Sequence, residues 1–330
     1  MHRTQPHARS HWPGGRRVNH LSRFAPIIGL LAVYSLFAIL GPDSFTSGRN
    51  LETIARQTAI VGTAALGMTL VIIAGGIDLS VGSIIALTTV TIAASLQAGL
   101  GPFTSAIVGI ISGGLCGLIN GLIITRLRVV PFIVTLGTLL VVRGVAKGLA
   151  DEQKIDAPLT YLIDLLAALP RGSWWIVPPG VWLLIFLALL TGGFLAYTRP
   201  GKHIVAIGSN ENTARLCGIR VERVKALVYT LAGLSAGIAG LLQFSRLTVG
   251  DPTVAVGLEL DVIAAVVIGG GSLAGGEGSV LGSVVGALIM TVIRSGCSQM
   301  GLPNWVQEIV TGIIIVIAVA VDRYRHRSGD

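Results

Sequence analysis

Long apolar runs separated by short polar stretches dominate this chain. A membrane-spanning helix needs about 20 consecutive, mainly apolar residues. The hydropathy pattern predicts ten such helices: 24–41, 51–73, 82–99, 103–124, 129–149, 178–197, 226–247, 258–272, 279–299 and 305–321. The predicted fold is therefore all-α, a polytopic integral membrane protein with about ten transmembrane helices.

The composition excludes an ordinary soluble domain. Of the 330 residues, 52% are hydrophobic and only 12% are charged, and the mean hydropathy is +0.79. Soluble proteins carry about 25% charged residues because their surface faces water. The net charge of +8 does not indicate a nucleic-acid partner, because no basic face is interleaved with exposed aromatic residues. Membrane lipid is the expected surrounding.

The distribution of basic residues predicts the orientation. Cytoplasmic segments of membrane proteins are rich in lysine and arginine, and sixteen of the 24 basic residues fall in four stretches: Arg3 to Arg23, Arg126 to Arg128, Arg199 to Lys225 and Arg323 to Arg327. These positions predict a basic cytoplasmic N-terminal segment (1–23), one transmembrane domain (24–321) and a cytoplasmic tail (322–330). Within the domain, 199–225 is predicted to be a cytoplasmic loop and 150–177 an extracytoplasmic loop, with Trp174 and Trp175 anchoring its end at the interface.

Cysteine usage indicates neither a disulfide framework nor a metal site. The three cysteines Cys116, Cys217 and Cys297 are odd in number and lack CxxC spacing. We expect buried structural thiols, no bound metal and no cofactor.

Glycine-rich segments suggest close packing and broken helices. Gly109, Gly113, Gly117 and Gly121 recur every four residues, which predicts one tightly packed helix face. Residues 72–87 resemble residues 267–288, since in both an apolar run meets a glycine cluster and continues as a Gly-Ser-containing helix. Duplicated halves with broken helices are typical of transporters; composition bias alone is the other explanation of this match.

Asp78 interrupts an apolar stretch directly after Gly75 and Gly76. A charged side chain at the centre of a membrane helix costs about 2.5–3.5 kcal/mol on insertion scales, so Asp78 needs a specific role. If the helix breaks at the two glycines, Asp78 and Ser80 can cap the next helix. A proton or cation site is the alternative interpretation.

Other polar residues lie near the second glycine cluster and within the spans. Glu259 and Asp261 are predicted to begin a span, where acidic residues are favoured. The cluster around Gly270 and Gly271 lacks the Gly-Lys-Ser/Thr of a phosphate-binding loop, so the chain is not expected to bind nucleotides. Asn120 is expected to bond across helices, or else to face a wet cavity.

The loop 199–225 has the features of a docking element. Pro200 and Gly201 are predicted to end the preceding helix, and Ser209 or Asn210 to cap a short helix over residues 211–217. Gly218 suits the left-handed end of that helix, which would leave Ile219 exposed. A short helix with an apolar end is suited to a partner's groove: Leu216 and Ile219 would insert, and Arg215 and Arg220 would orient the approach.

Four ordered motifs carry a family resemblance. GGIDLSVGSIIAL, Asn120 within GLINGLII, AIGSNENTARLCGI and ELDVIAAVVIGGGSLAGGEGSVLG resemble the ribose-, xylose- and galactose-type sugar permeases of bacterial ATP-binding cassette importers. The resemblance covers about residues 24–321. It implies a multi-pass permease of the bacterial inner membrane, present as two copies and working with a cytoplasmic ATPase and an extracytoplasmic sugar-binding protein.

The resemblance also assigns residues. The family's cytoplasmic coupling segment matches Ala206, Gly208, Asn210, Ala214, Gly218 and Ile219. Together with the docking argument, this gives a predicted contact with the ATPase that also includes Arg215, Leu216 and Arg220. The candidates for the translocation pathway or the broken helices are Gly75, Gly76, Asp78, Ser80, Asn120, Glu259, Asp261, Gly270 and Gly271.

These residues bear on three candidate functions. The leading one is a permease that changes conformation as a partner hydrolyses ATP and that performs no covalent chemistry itself. The second is a proton-coupled secondary transporter with Asp78 or Glu259 as the proton carrier. The third, an intramembrane hydrolase or transferase, needs a catalytic cluster, whereas His203 stands alone in a loop.

Overall fold

The computed structural model describes residues 20–170 and 177–327. Most of the predicted N-terminal segment 1–23, the end of the tail, and the predicted anchor residues Trp174 and Trp175 lie outside this part. The described chain contains twelve α-helices: α1 His20–Leu40, α2 Gly48–Ile73, α3 Val81–Gln97, α4 Pro102–Leu127, α5 Pro131–Leu149, α6 Pro179–Tyr197, α7 Arg199–Ser209, α8 Glu211–Leu216, α9 Val221–Leu247, α10 Leu258–Ile268, α11 Val280–Gln299 and α12 Asn304–Arg327.

Each of the ten predicted apolar segments coincides with one of these helices, which confirms the all-α membrane fold. Six helices, namely α2, α4, α5, α6, α9 and α11, are long and apolar enough to cross a membrane on their own. The 11 residues of α10 extend only about 16 Å at 1.5 Å per residue, too short for a full span. The count of ten spans is therefore approximate, and α10 is one limb of a broken helix.

Helix α2 lies at the centre of the bundle. Its residues from Thr58 to Ile73 are all buried, and it packs against α6, α9, α10 and α11. Threonine hydroxyls on α2 bond to α11: Thr58 pairs with Thr291 at 2.6 Å, and Thr69 donates to Ser283 at 2.7 Å. Hydroxyl pairs of this kind hold membrane helices together where water is absent.

The glycine stripe of α4 is a packing face, as predicted. Gly113, Gly117 and Gly121 lie against α9, and a Cβ atom on Gly113 would stand 2.6 Å from the carbonyl oxygen of Gly233. Because glycine has no side chain, the two backbones approach more closely than any larger residue permits. This contact fixes α9, whose first turn adjoins α8.

The two ends of the bundle are distinct. At one end, β1 (Ile155–Asp156) pairs with β2 (Val249–Gly250) in a short antiparallel ladder. Lys154 reaches Asp251 at 3.3 Å beside this ladder. At the other end lie α7 and α8, between α6 and α9. We refer to these as the β end and the α7–α8 end.

Candidate functional site

The two glycine clusters form turns of the same geometry. After α2, the N–H of Gly76 bonds to the carbonyl of Val71, and that of Gly75 to Ile72. This pair of bonds is a Schellman motif, and Gly75 has the positive φ of 78° that the motif requires. The first glycine cluster therefore ends α2 and turns the chain back into the bundle.

The second cluster repeats this pattern after α10. The N–H of Gly271 bonds to Val266, that of Gly270 bonds to Val267, and Gly270 has a φ of 92°. A serine then occupies the N-cap of the following helix in each half, Ser80 before α3 and Ser279 before α11. The same pair of bonds also ends α3 at Gly99, α8 at Gly218 and α11 at Gly301, so this geometry does not decide between an internal repeat and composition bias.

The two turns meet each other at the α7–α8 end. The N–H of Gly276 donates to the carbonyl oxygen of Ile73 over 2.9 Å. Gly208, near the end of α7, fits against both turns: a Cβ atom there would overlap the Ile73 oxygen and lie 2.5 Å from the Gly276 nitrogen. One backbone position of α7 thus contacts both breaks.

Asp78 and Ser80 lie in the short non-helical segment between α2 and α3, fully buried. One carboxylate oxygen of Asp78 accepts the Ser80 N–H at 2.9 Å and the Ser80 hydroxyl at 2.6 Å. The Ser80 hydroxyl in turn accepts the amide of Asn120 at 2.9 Å. Ser80 is the N-cap residue of α3, but its side chain makes no cap hydrogen bond. The predicted serine cap is therefore wrong, because that hydroxyl links Asp78 to α4 instead.

Asn120 forms the interhelical bond that was predicted for it. Its amide nitrogen reaches Ser80, while its amide oxygen and the second oxygen of Asp78 are buried with no partner in the described part of the chain. This trio ties the first break to α4.

Glu259 and Asp261 occupy the first turn of α10, as predicted. Glu259 packs against Gly82 at the start of α3 and accepts the Gly257 N–H at 3.3 Å. Asp261 is buried and forms an ion pair with Arg294 of α11. The two acids therefore join α10 to different neighbours, and neither is hydrogen-bonded to Asp78.

The loop 199–225 is more helical than predicted. Helix α6 ends at Tyr197 rather than at Pro200, and Thr198 caps a new helix, α7, by accepting the Gly201 N–H at 3.1 Å. Pro200 and Gly201 lie in the first turn of α7, where proline is tolerated because its missing N–H has no helical partner. Ile204 and Ile207 are buried along one face. This spacing, three residues apart, is the signal by which α7 could have been found.

The short helix α8 forms as predicted. Asn210 caps it by accepting the Thr213 N–H at 2.9 Å, and Gly218 follows with a φ of 83°. Ala214 is buried, while Leu216 is 89% exposed. The prediction for Ile219 was wrong, because the turn at Gly218 directs it back to pack against the hydrophobic core. Leu216 alone therefore provides the apolar tip.

Charged residues hold α8 against α9. Arg215 pairs with Glu211 at 3.0 Å and with Glu222, and Lys225 reaches Glu211 at 2.6 Å. Burial raises the pKa of Glu211, but the hydrogen bonds from Lys225 and Arg215 outweigh it, so the pKa lies below its ordinary value. Arg215 is thus engaged within the chain, whereas Arg220 is exposed at the N-cap of α9.

Ala206 and the three cysteines differ in how exposed they are. Ala206 is half-buried on α7. Cys217 is exposed beside Leu216, Cys116 is half-buried and Cys297 is buried. The expectation of three buried thiols is wrong for Cys217, because α8 presents its last turn outward.

An apolar helix bundle with two helices broken by glycine turns is typical of multi-pass transport proteins. Residues 50–319 match the family described as branched-chain amino acid transport system / permease component. The chain belongs to this family of permeases, which agrees with the transporter class of the sequence resemblance. The family model describes a transport component.

Individual relatives extend the comparison over most of the chain. Ribose import permease protein RbsC of Escherichia coli (strain K12) is 38% identical, covering 90% of this chain and 92% of the relative. RbsC of Bacillus subtilis (strain 168) is 39% identical, covering 92% and 93%. The xylose transport system permease protein XylH of Escherichia coli (strain K12) is 36% identical, covering 93% of each. No solved structure matches the chain.

Proposed function

We propose that this chain is the membrane-embedded permease subunit of an ATP-driven sugar importer. The observation that carries the proposal is the contact of Gly208 with both glycine turns, because it connects an exposed segment to the two broken helices of the bundle. The named cargoes of the relatives, ribose and xylose, support a sugar or related polar solute.

In this proposal, α8 binds a cytoplasmic ATPase through Leu216. A partner can drive a conformational change only if its contact energy differs between its two nucleotide states. Movement of α8 and α7 would displace Gly208, and with it the turns at Gly75 and Gly276. The pathway beside Asp78 and Glu259 would then open toward one side of the membrane at a time.

The assembly proposed contains a second permease copy, the ATPase and an extracytoplasmic sugar-binding protein, in the bacterial inner membrane. Both termini and the α7–α8 end face the cytoplasm, and the β end faces outward. Exposed apolar side chains on α5 and α12, such as Leu140 and Val316, suit lipid or the second copy. Lysine and arginine at 199–225 support this orientation.

The coupling contact is tested by Leu216→Asp. Burying a leucine in a partner's groove contributes about 1.5–3 kcal/mol, so the variant is expected to lose ATPase co-purification and ATP-driven uptake at normal membrane abundance. Leu159→Asp, at a leucine of the β end that is 77% exposed, is the matched control and should retain both. Normal ATPase association and uptake by Leu216→Asp would contradict the proposal, as would uptake driven by a proton gradient without any ATPase.

The orientation is tested with the exposed native Cys217. In a variant with Cys116 and Cys297 replaced by alanine, a membrane-impermeant maleimide is expected to leave Cys217 unlabelled in intact cells. It should label Cys217 once the cells are permeabilised. Leu159→Cys, at a residue of the β end that is 77% exposed, should be labelled from outside in a variant that also lacks Cys217. Labelling of Cys217 from outside would refute the orientation.

A further inference from the structure

A second polar feature lies at the β end of the bundle, away from the glycine turns. A cavity of about 290 Å³ lies among α2, α9, α10, α11 and α12, and twelve of its fifteen lining side chains are polar. Gln57 of α2, which lines it, is 16 residues before Ile73, a distance of about 24 Å along the helix. The chain as a whole is 52% hydrophobic, so this mainly polar lining is unusual for it and requires an explanation.

Several groups that face this cavity lack partners. Gln243 lines the cavity and is only 7% exposed. Its side chain nevertheless makes no hydrogen bond within residues 20–170 and 177–327. In the same described ranges, the half-buried Gln57 and the exposed Arg246 also line the cavity without a hydrogen bond. Asp261 gives one oxygen to Arg294, while its other oxygen is buried and unpaired within that part of the chain.

Unpaired buried groups are costly. Leaving a buried donor or acceptor unsatisfied costs about 1–3 kcal/mol, and the second oxygen of Asp261 is one such acceptor in the described part of the chain. Gln57, Gln243 and Arg246 add hydrogen-bonding groups without a protein partner at the same cavity, so its lining favours an occupant that supplies hydrogen bonds. Amide and guanidinium groups offer donors, and the amide oxygens and the Asp261 carboxylate offer acceptors. A hydroxyl group both donates and accepts, so a molecule with several hydroxyls satisfies this mixed set.

The size of the cavity narrows the occupant. Pockets that bind small molecules have volumes of about 300 Å³ or more. This cavity is at the lower end of that range and has room for one small solute. A branched-chain amino acid would place its aliphatic side chain against mainly polar walls and leave amides unpaired. A monosaccharide presents hydroxyls on most of its surface.

We propose that this polar cavity is a binding site for a monosaccharide, held by Gln57, Gln243, Arg246 and Asp261. The inference rests on the proposed import of a sugar and adds a place where the permease itself holds the cargo, at the end where a binding protein would release it. A site on a transport path must bind weakly enough to release its occupant. We therefore expect a Kd of about 1 mM or weaker.

Saturation-transfer NMR measures such weak binding directly. The full chain in lipid nanodiscs is mixed in turn with D-ribose, D-xylose, L-arabinose and L-isoleucine. We expect saturation transfer to at least one of the sugars and none to L-isoleucine. Gln57→Leu and Gln243→Leu, tested separately on two helices, should each weaken sugar binding roughly fivefold, the effect of one lost hydrogen bond. Leucine nearly preserves volume, and a monodisperse size-exclusion profile verifies that each variant folds.

Gln97→Leu is the matched control. Gln97 lies on α3, outside the cavity lining, and donates to the Asp156 carbonyl at 2.8 Å. It should bind the sugar as the unmodified chain does. An unchanged signal in both cavity variants, no signal from any of the three sugars, or a signal from L-isoleucine in their place would each overturn the assignment.

Uptake by the reconstituted permease, ATPase and binding protein separates this inference from the proposed function. If the complex imports a sugar with ATP, and neither cavity variant changes uptake or sugar binding, the cavity site is refuted and the proposed importer function stands. A complex that imports no sugar refutes the importer and the cavity site together. Slower uptake in both cavity variants, with Gln97→Leu unaffected, supports the proposal.

Discussion

Gly208→Ala is the most direct perturbation of the junction between α7 and the two broken helices. The added methyl group would overlap the carbonyl oxygen of Ile73 and lie 2.5 Å from the nitrogen of Gly276. Both neighbours are backbone atoms, so neither can rotate away as a flexible side chain would. The junction must open, and the hydrogen bond from Gly276 to Ile73 opens with it.

The expected size of the effect follows from those two contacts. Overpacking a filled site costs about 1–3 kcal/mol, and loss of the hydrogen bond adds about 0.5–1.5 kcal/mol. The closed junction is then destabilised by roughly 1.5–4.5 kcal/mol. Because about 1.4 kcal/mol corresponds to a factor of ten, transport should fall by roughly tenfold or more.

The assay is ATP-driven uptake by the reconstituted complex, measured beside ATPase co-purification. Gly208→Ala should retain the ATPase, because Leu216 remains exposed on α8, but should lose uptake. Gly192→Ala on α6, where an added Cβ atom meets nothing within 4 Å, is the matched control and should transport normally. Uptake at the normal rate by Gly208→Ala would show that the contact between α7 and the turns does not transmit the movement.

Three further predictions concern the folded state. Asp78→Asn keeps an oxygen for the two bonds from Ser80 and should melt at a higher temperature than Asp78→Leu, which leaves the buried Ser80 N–H unpaired at about 1–3 kcal/mol; equal melting temperatures would contradict this role. Gly117→Leu should lower the melting temperature in detergent by forcing α4 from α9, whereas Gly144→Leu on open α5 should not. The lowered pKa of Glu211 means that its ion pairs stabilise α8 fully above the ordinary pKa of 4.5 and are lost as the pH falls through the folded-state pKa. Glu211→Gln at pH 7 should therefore speed hydrogen exchange in α8, by at most about fivefold because the pair is exposed, and unchanged exchange would refute the contribution.

Hydropathy alone located every long helix, because a lipid environment requires a nearly continuous apolar run for each span. It did not locate α7, where Arg199, Pro200 and Lys202 mask an amphipathic helix. It also overestimated α10 as a full span, since the glycine turn begins at Gly269 and hydropathy does not register a chain reversal. For the ends of α7 and α10, local signals such as helix caps and left-handed glycines are more informative than average hydropathy.

The candidate site was predicted in its parts and not in its arrangement. The glycine clusters, Asp78 and the helix capped by Asn210 can each be read from short segments. The meeting of Gly208 with both turns depends on contacts between residues separated by more than 60 positions, which no local pattern contains. Ile219 was assigned outward for the same reason, because its direction depends on the core beneath Gly218.

The burial of α2 has a consequence for how the protein is made. Its apolar window has a mean hydropathy of 1.4 and is 89% buried, whereas α4 and α6 have values of 2.2 and 2.0 and are 39% and 17% buried. A nascent helix enters the bilayer according to its own hydropathy, so the helix that most depends on protein neighbours is the one that lipid attracts least. The ribosome completes α2 long before α9 and α11, the helices that enclose it. During synthesis α2 therefore waits without the α11 partners of Thr58 and Thr69, whose hydroxyls are bonded meanwhile to carbonyl oxygens of α2 itself, and its packing can be completed only after α9 and α11 have been translated.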